Sequence, residues 1–408
     1  MQNILSRDAI SRGRGFVFDN VGKPEICREI NKIKNLLLET GARKGDIVTI
    51  NIMVVNIRHV AAIFACAELG LPLIILNSPA TKESLPFTKL ALHGPSAWHI
   101  YDSENPTNLV YDGLHDEMIK QYGGIGIDVQ DAYNPHDIMG DDVLPNDIFL
   151  ISSTSGTTKA SRPVKFSHKE TMKIAKRNIE VFWFGHDAKV IHSRNLHHAS
   201  ALLTHLLPAL MNAYTHSSFA LGHDGTHAED YNYLKGLKDL HDNPPSNIMM
   251  PNKKVLFDFL ETFGGPFMRT VNINMCGFLL DAEFVDLARE YNVCFQSHYG
   301  SIDTAIPLLI NRVDKDSFHI PNSLGVLCDD FYETTLEDGR MKVEHPLWDA
   351  PRYMDDELQE FDGQYILKSN RQVDIDMTGI LDLSPFSHDT KIDYEQLRGH
   401  LHVTSSRV

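Results

Sequence analysis

Two apolar runs of strand length, Ile47–Ile52 and Leu71–Leu76, alternate with helical patterns, and this alternation limits the possible folds more than any other feature of the chain. Ile26, Ile30, Ile33 and Leu37 recur at helical spacing and would line one face, with Pro24 near the start of that helix and Gly41 just past its end. Val60–Leu69 reads as a buried helix closed by Gly70. A strand that is apolar along its whole length has no solvent face, so both sides of its sheet must be covered. Helix–strand–helix–strand with such strands predicts a parallel sheet in an α/β fold.

The same style returns from Asp147 to about Arg312. Residues 105–147 are rich in Gly, Pro, Asn and Asp and read as loops between two α/β halves. From about Asp314 to Ile366, short alternating runs and turn signals such as Glu337-Asp338-Gly339 predict small antiparallel strands. The last stretch, Asp374–Val408, is polar and weakly periodic. A chain of 408 residues is long enough for two or three subdomains. The expected division is an N-terminal α/β subdomain (1–145), a second α/β subdomain (146–313), a β-rich subdomain (314–372) and a tail (373–408).

Charge and composition exclude some classes. A formal net charge of -16 disfavours nonspecific nucleic-acid binding, which depends on Lys and Arg neutralising phosphates. A local positive pocket for a small ligand stays compatible with that total. No apolar run approaches the roughly 20 residues that span a bilayer, and the opening Met1-Gln-Asn-Ile-Leu-Ser-Arg-Asp lacks the apolar stretch of a signal peptide. Cys27, Cys66, Cys276, Cys294 and Cys328 show no CxxC spacing; an odd, scattered set predicts reduced thiols and a cytoplasmic protein.

The stretch richest in chemistry is Ile148-Phe-Leu-Ile-Ser-Ser-Thr154-Ser155-Gly156-Thr157-Thr158-Lys159-Ala-Ser-Arg162-Pro-Val-Lys165-Phe-Ser167-His168. An apolar strand runs into hydroxyls clustered about a glycine, and a helix follows. Ser167 and Glu170 have the spacing of a capping box, and Met172, Ala175 and Ile179 share a helical face. A glycine allows a tight turn in which successive N–H groups face an anion. Hydroxyls add donors, and Arg162 or Lys165 can add positive charge, Arg through a planar fork that matches two oxygens. Composition alone leaves a second reading open, a polar turn in which the hydroxyls bond locally.

This segment resembles the phosphate loop of the adenylate-forming superfamily, which includes acyl-CoA synthetases, peptide-synthetase adenylation domains and luciferases. The superfamily's pattern is Thr-Ser-Gly-Thr-Thr-Gly-x-Pro-Lys-Gly-Val-x-x-Thr-His. Thr154, Ser155, Gly156, Thr157 and Thr158 match its first five positions, and Val164, Ser167 and His168 fall in register at its end. Lys159 stands at the second glycine, Ser161 at the proline, Arg162 at the loop lysine and Pro163 at the third glycine. The loop is therefore expected to be stiffer while keeping its charge. The Gly-Lys-Ser/Thr ending of a Walker loop is absent.

The resemblance extends over nearly the whole chain. Gly41-Ala-Arg-Lys-Gly45-Asp46-Ile-Val48 and Ala67-Glu-Leu-Gly70 through Asn77-Ser-Pro79 look like early superfamily segments that support register. Arg194-Asn-Leu-His197-His198 resembles the segment whose histidine or aromatic residue lines the acyl pocket, which implicates His198. Met275-Cys276-Gly277-Phe278-Leu279 resembles the turn whose backbone lies against adenine. His298-Tyr299-Gly300-Ser301-Ile302-Asp303 resembles Tyr-Gly-x-Thr-Glu. By that resemblance Tyr299 would stack on the purine, His298 and Gly300 would border it, and Asp303 would contact magnesium. Ile302 takes the place of a phosphate-binding threonine. Asp355, ahead of Phe361-Asp362-Gly363, takes the place of the ribose-binding aspartate, and Asn370-Arg371-Gln-Val-Asp374 resembles the hinge whose arginine approaches the nucleotide.

The resemblance implies a definite architecture and reaction. The fold would be two parallel-sheet α/β subdomains plus a small β-rich one, as in the large domain of these enzymes. The reaction would be ATP- and Mg2+-dependent activation of a small-molecule carboxylate, with Arg162, Thr158 and His198 as catalytic residues. The acyl group would pass to a thiol, amine or alcohol. Superfamily members run on for about another hundred residues, a small domain's worth, whereas about 35 follow Arg371 here, too few for such a domain. The C-terminal domain and its lysine are thus expected to be absent, with a partner protein or second subunit supplying a basic residue. The alternative is a catalytically weak protein that binds a nucleotide or an acyl-adenylate. Of the 21 histidines, His223 and His227 alone have a zinc-like H-x-x-x-H spacing, and Gly222 and Gly225 place them in a loop, which argues against a metal site.

Overall fold

The computed structural model describes residues 4–10, 17–18, 21–51, 57–76, 97–101, 125–128, 142–153, 163–185, 188–192, 201–212, 215–218, 246–250, 256–257, 259–261, 264–276, 279–302, 307–318, 320–328, 333–344, 351–368, 374–375 and 381–382. Its chain divides into two compact units. The first comprises Met1–Gly264 with Gly300–Pro307 and Met377–Gly379, and the second Gly265–Tyr299 with Leu308–Asp376 and Ile380–Val408. The finer division at 145, 313 and 372 follows local style of structure and stays a proposal.

The first unit opens with short strands β1 (Val17–Phe18) and β2 (Val21–Gly22) and helix α1 (Lys23–Glu39). Pro24 sits in the first turn of α1, where its missing N–H costs nothing. Ile26, Ile30, Ile33 and Leu37 are all buried, as the helical period predicts. Strand β3 (Ile47–Asn51), helix α2 (Ile57–Leu69) and strand β4 (Leu73–Leu76) follow. Helix α2 is buried along almost its whole length, which accounts for its nearly unbroken apolar sequence.

Strands β5 (Ala97–Tyr101), β6 (Ile125–Asp128), β7 (Ile148–Ser153) and β8 (Pro163–Ser167) complete a six-stranded sheet of order β6-β5-β3-β4-β7-β8. All neighbours in it are parallel except β7 and β8. Helix α3 (His168–Val181) leaves β8. After β9 (Lys189–His192) come a π-helical segment, Ala201–Leu206, and helix α4 (Leu207–Asn212). Strands β10 (Thr215–Ser218) and β11 (Asn247–Met250) then pair in parallel with β9, and β1 adds in parallel to β10. One apolar cluster joins α1, α2, β7, β8, α3 and the N-terminal residues Leu5 and Ile10.

The second unit contains β12 (Val271–Cys276), α5 (Ala282–Tyr291), β13 (Val293–Tyr299), β14 (Leu309–Val313), β15 (Ser323–Leu327), β16 (Glu333–Glu337), β17 (Arg340–Glu344), β18 (Arg352–Phe361) and β19 (Gln364–Leu367). Strands β12 and β13 pair in parallel around the crossover helix α5, and the remaining pairs are antiparallel. Asp281 caps α5, and Asn292 closes it in the left-handed conformation. The predicted Glu337-Asp338-Gly339 turn joins β16 to β17, with Asp338 and Gly339 both at positive φ as a tight hairpin requires. The small antiparallel strands and the parallel α/β layers are thus both present, and the fold class is α/β. Among the described residues no helix is long and apolar enough to cross a membrane.

Candidate functional site

The phosphate-loop segment connects the two arms of a hairpin. β7 and β8 run antiparallel, with Ser153 opposite Pro163, Ser152 opposite Val164 and Ile151 opposite Lys165. The sequence reading had the hydroxyl cluster lead straight into the helix, and here the structure differs. Pro163–Ser167 forms a strand first, because Val164 and Phe166 alternate with exposed Lys165 and bury against the unit's core. Thr154, Ser155, Gly156, Thr157, Thr158 and Arg162 lie outside the described residues; the flanking strands place only the ends of the loop. Pro163 suits its position at the first residue of β8, where no ladder donor is required.

The base of the hairpin is firmly built. The Glu170 N–H donates to Ser167 Oγ across 3.2 Å and the Ser167 N–H donates to Glu170 Oε2 across 2.8 Å, the reciprocal capping box that the spacing predicts. The His168 N–H donates to the Asp147 carbonyl, tying the start of α3 to the start of β7. Lys44 pairs with Asp147 at 2.8 Å. Burial alone would raise the Asp147 carboxyl, but the Lys44 ammonium and the Leu144 N–H hold it below the usual aspartate value. The His168 ring is buried 5.4 Å from that of Phe149, and its Nδ1 accepts from the Leu5 N–H.

His198 lies outside the described residues. The segment after it is the π-helical Ala201–Leu206, all of it buried. His205 there sits against Phe182 and Phe184 with ring centroids 4.6 and 5.7 Å away, and Asn178 of α3 donates to the Leu203 carbonyl. A π turn inserts one extra residue per turn, and such segments occur often beside functional sites.

In the second unit, Tyr299 ends β13. Its ring packs against the cluster formed by Leu308, Leu309, Met354 and Leu358, and its carbonyl accepts from the Leu308 N–H. Its hydroxyl donates to Asp356 Oδ2 at 2.5 Å. His298 is 1% exposed, so its ring is interior. Gly300 follows β13 directly. Asp355 belongs to β18, but its side chain lies outside the described part of the structure, as do Gly277, Phe278, Asp303 and Arg371 entirely. Ile302, which stands where a hydroxyl was expected, packs against the apolar cluster of the first unit. The Tyr299–Asp356 contact has no counterpart in the sequence reading. Asp356 has the same strand parity as buried Met354 and Leu358.

Among the described residues no three His, Cys, Asp or Glu side chains gather into a set that could hold a metal ion. The four described cysteines, Cys27, Cys66, Cys294 and Cys328, are free thiols. Burial pushes the Cys294 thiol up to about 11, so it is inert at neutral pH.

No protein-family model matches the sequence, and no curated protein matches it either. Solved structures do. ATP-bound MatB from Rhodopseudomonas palustris shares 16% identity and superposes with a TM-score of 0.68 over 88% of this chain and 76% of its own. The O-succinylbenzoate CoA synthetase MenE from Bacillus subtilis, in complex with ATP and magnesium ion, gives 16% identity and a TM-score of 0.71 over 86% of this chain and 76% of its own. The anthranilate CoA ligase AuaEII, in complex with anthranoyl-AMP, gives 13% identity and 0.68 over 90% and 77%. The fold of this chain is the one these CoA ligases share.

Proposed function

We propose that this chain binds ATP and activates a small carboxylate as an acyl-adenylate. The observation that carries the reading is the unbroken Thr154-Ser-Gly-Thr-Thr158 sequence in the segment that joins β7 to β8, in a chain that has the fold of ATP-bound CoA ligases over 86–88% of its length. In this reading the amides and hydroxyls of that segment bind phosphate oxygens, and Arg162 adds a two-pronged cationic donor. A carboxylate oxygen attacks the α-phosphorus, an O–P bond forms, and the bond from that phosphorus to the bridging oxygen breaks with its electron pair leaving on pyrophosphate. The charge that develops is met by Thr158 and Arg162, so catalysis consists of positioning and electrostatic stabilisation. His198 borders the carboxylate.

In this reading Tyr299 serves the adenine, and the resemblance assigns Gly277, Phe278, His298, Gly300 and Arg371 to the same nucleotide site. Asp303 fits the magnesium that accompanies ATP, because that ion takes one or two carboxylates and completes its shell with phosphate oxygens and water. When bound, it neutralises phosphate charge. Small-molecule carboxylates named in the likened structures, such as anthranilate, support a search among small acids, followed by transfer to a thiol, amine or alcohol.

ATP–pyrophosphate exchange across a panel of small carboxylates tests the reading. Exchange that depends on one acid supports it, and nucleotide binding without exchange for any acid overturns the catalytic part. One observation favours the second, weaker reading of a nucleotide- or acyl-adenylate-binding protein: Ile302 is committed to apolar packing and offers no hydroxyl to a phosphate.

A further inference from the structure

Helix α3 shows the outside one narrow ridge. Eight of its fourteen residues are buried. Its outward positions Lys169, Lys173, Lys176 and Glu180 are spaced 4, 3 and 4 residues apart, which stacks them along one line of a 3.6-residue helix. Lys173 and Glu180 are exposed, and Lys169 and Lys176 partly so. From Lys169 to Glu180 the line runs about 16 Å. Among the described residues none of the three lysines pairs with an acid.

The order of these charges does nothing for the helix. A macrodipole favours acids in the first turn and bases in the last. The ridge begins with a lysine and ends with a glutamate, and no basic residue stands in the last turn. Glu180 follows Lys176 by four residues, the poorer order for a helical ion pair.

Trp183 stands just past the end of the ridge. It is 42% exposed, and its φ of 54 is a left-handed conformation uncommon for a bulky side chain. Its flanks hold it there. Phe182 and Phe184 are fully buried, Asn247 of β11 donates to the Phe182 carbonyl and Asn212 of α4 to the Phe184 carbonyl. The Trp183 N–H donates to the Glu180 carbonyl. A tryptophan fixed on both sides loses little backbone freedom when it is covered, as suits an anchor at an interface.

We propose that the α3 ridge and Trp183 form a docking surface for an acidic α-helix of a partner protein, with an apolar residue of that helix against the indole. A partner helix meets the ridge alone, within the screening length of about 8 Å at physiological salt. A lipid surface or a nucleic-acid backbone would face more of the chain, whose formal net charge of -16 repels it. The surface is independent of the nucleotide reading.

Fluorescence anisotropy of a labelled synthetic helix with the full chain tests the proposal. The peptide is alanine-based, about 20 residues long, with glutamates spaced 4 and 3 apart and a leucine one turn beyond them. It binds saturably and more weakly as sodium chloride is raised. Lys169→Glu, Lys173→Glu and Lys176→Glu together weaken it about tenfold or more, because like charges then face each other. Trp183→Ser weakens it at least about fivefold, the loss of an aromatic anchor. Arg269→Glu, Lys315→Glu and Lys368→Glu together make the same change of net charge at exposed positions away from the ridge and leave the affinity as it was. Lys173→Glu alone, an exposed change, gives a smaller loss in the same direction and covers a triple variant that does not fold. Equal losses in the two triple variants reduce the effect to total charge and overturn the surface. Absence of saturable binding overturns it as well. Tighter binding to phosphatidylserine-containing vesicles or to a single-stranded oligonucleotide, abolished by the ridge variant, overturns the protein partner.

Discussion

The backbone N–H of Leu5 donates to Nδ1 of His168 across 3.3 Å, although the two residues are 163 positions apart. The bond selects a tautomer: Nδ1 accepts, so the neutral ring carries its proton on Nε2. Burial holds this imidazole down at about 4, against a weaker upward pull from Asp147.

A pH dependence follows. Between the ordinary histidine value of 6.5 and the folded value of about 4, the unfolded chain binds a proton that the folded chain does not. Stability therefore falls as pH drops through that interval and levels off, for this group, below it; the loss is about 3 kcal/mol. His168→Phe removes the titration while keeping an aromatic ring. Denaturant melts at pH 7, 5.5 and 4.5 should show a flatter dependence in the variant than in the wild type. Equal slopes would rule out His168 as the source.

Glu68 titrates in the opposite sense. Burial would raise its carboxyl, but Arg7, donating from Nε and Nη2, and Lys34, at 3.0 Å, hold it below the usual glutamate value. Its contribution is present above that ordinary value and is lost as pH falls through the folded pKa. Glu68→Gln removes the negative charge that Arg7 and Lys34 share and should cost about 3 kcal/mol at neutral pH. Thermal melts read this directly, and an unchanged Tm would show that the two cations are satisfied by solvent.

Gly325 lies in β15 at φ +85, and a Cβ added there would overlap the backbone carbonyl of Ile310 on β14. Neither strand can retreat without breaking its ladder. Gly325→Ala should destabilise the protein by about 3 kcal/mol or more. A variant that melts like the wild type would contradict the close approach.

Replacing Thr157 and Thr158 together with Ala should weaken ATP binding in calorimetry while leaving Tm nearly unchanged, because the side chains are assigned to the ligand and not to the core. Unaltered affinity would remove the loop from the site.

Asp303→Asn should lower ATP binding in the presence of magnesium and have less effect in its absence. A variant that loses stability but keeps the wild-type magnesium dependence would make this carboxylate a structural cap.

Sequence reading went furthest where burial and period agree. Ile26, Ile30, Ile33 and Leu37 announced α1, and the capping box announced the start of α3 to the residue. It fell short at β8, where Pro163 and a run of five residues between a polar loop and a capped helix look too short to pair, yet pair with β7. It carried no sign of the contact between Tyr299 and Asp356, which lie 57 positions apart.

The hairpin has an electrostatic consequence. In a phosphate site built on a strand–loop–helix turn, the helix's positive end shares in holding the anion. Here the chain returns along five residues of β8, about 15 Å of strand, before α3 begins, and the first turn of α3 is already closed by Ser167 and Glu170. A helix terminus acts over little more than one turn. Ser153 and Pro163, which bound the loop, therefore stand beyond the reach of the α3 macrodipole.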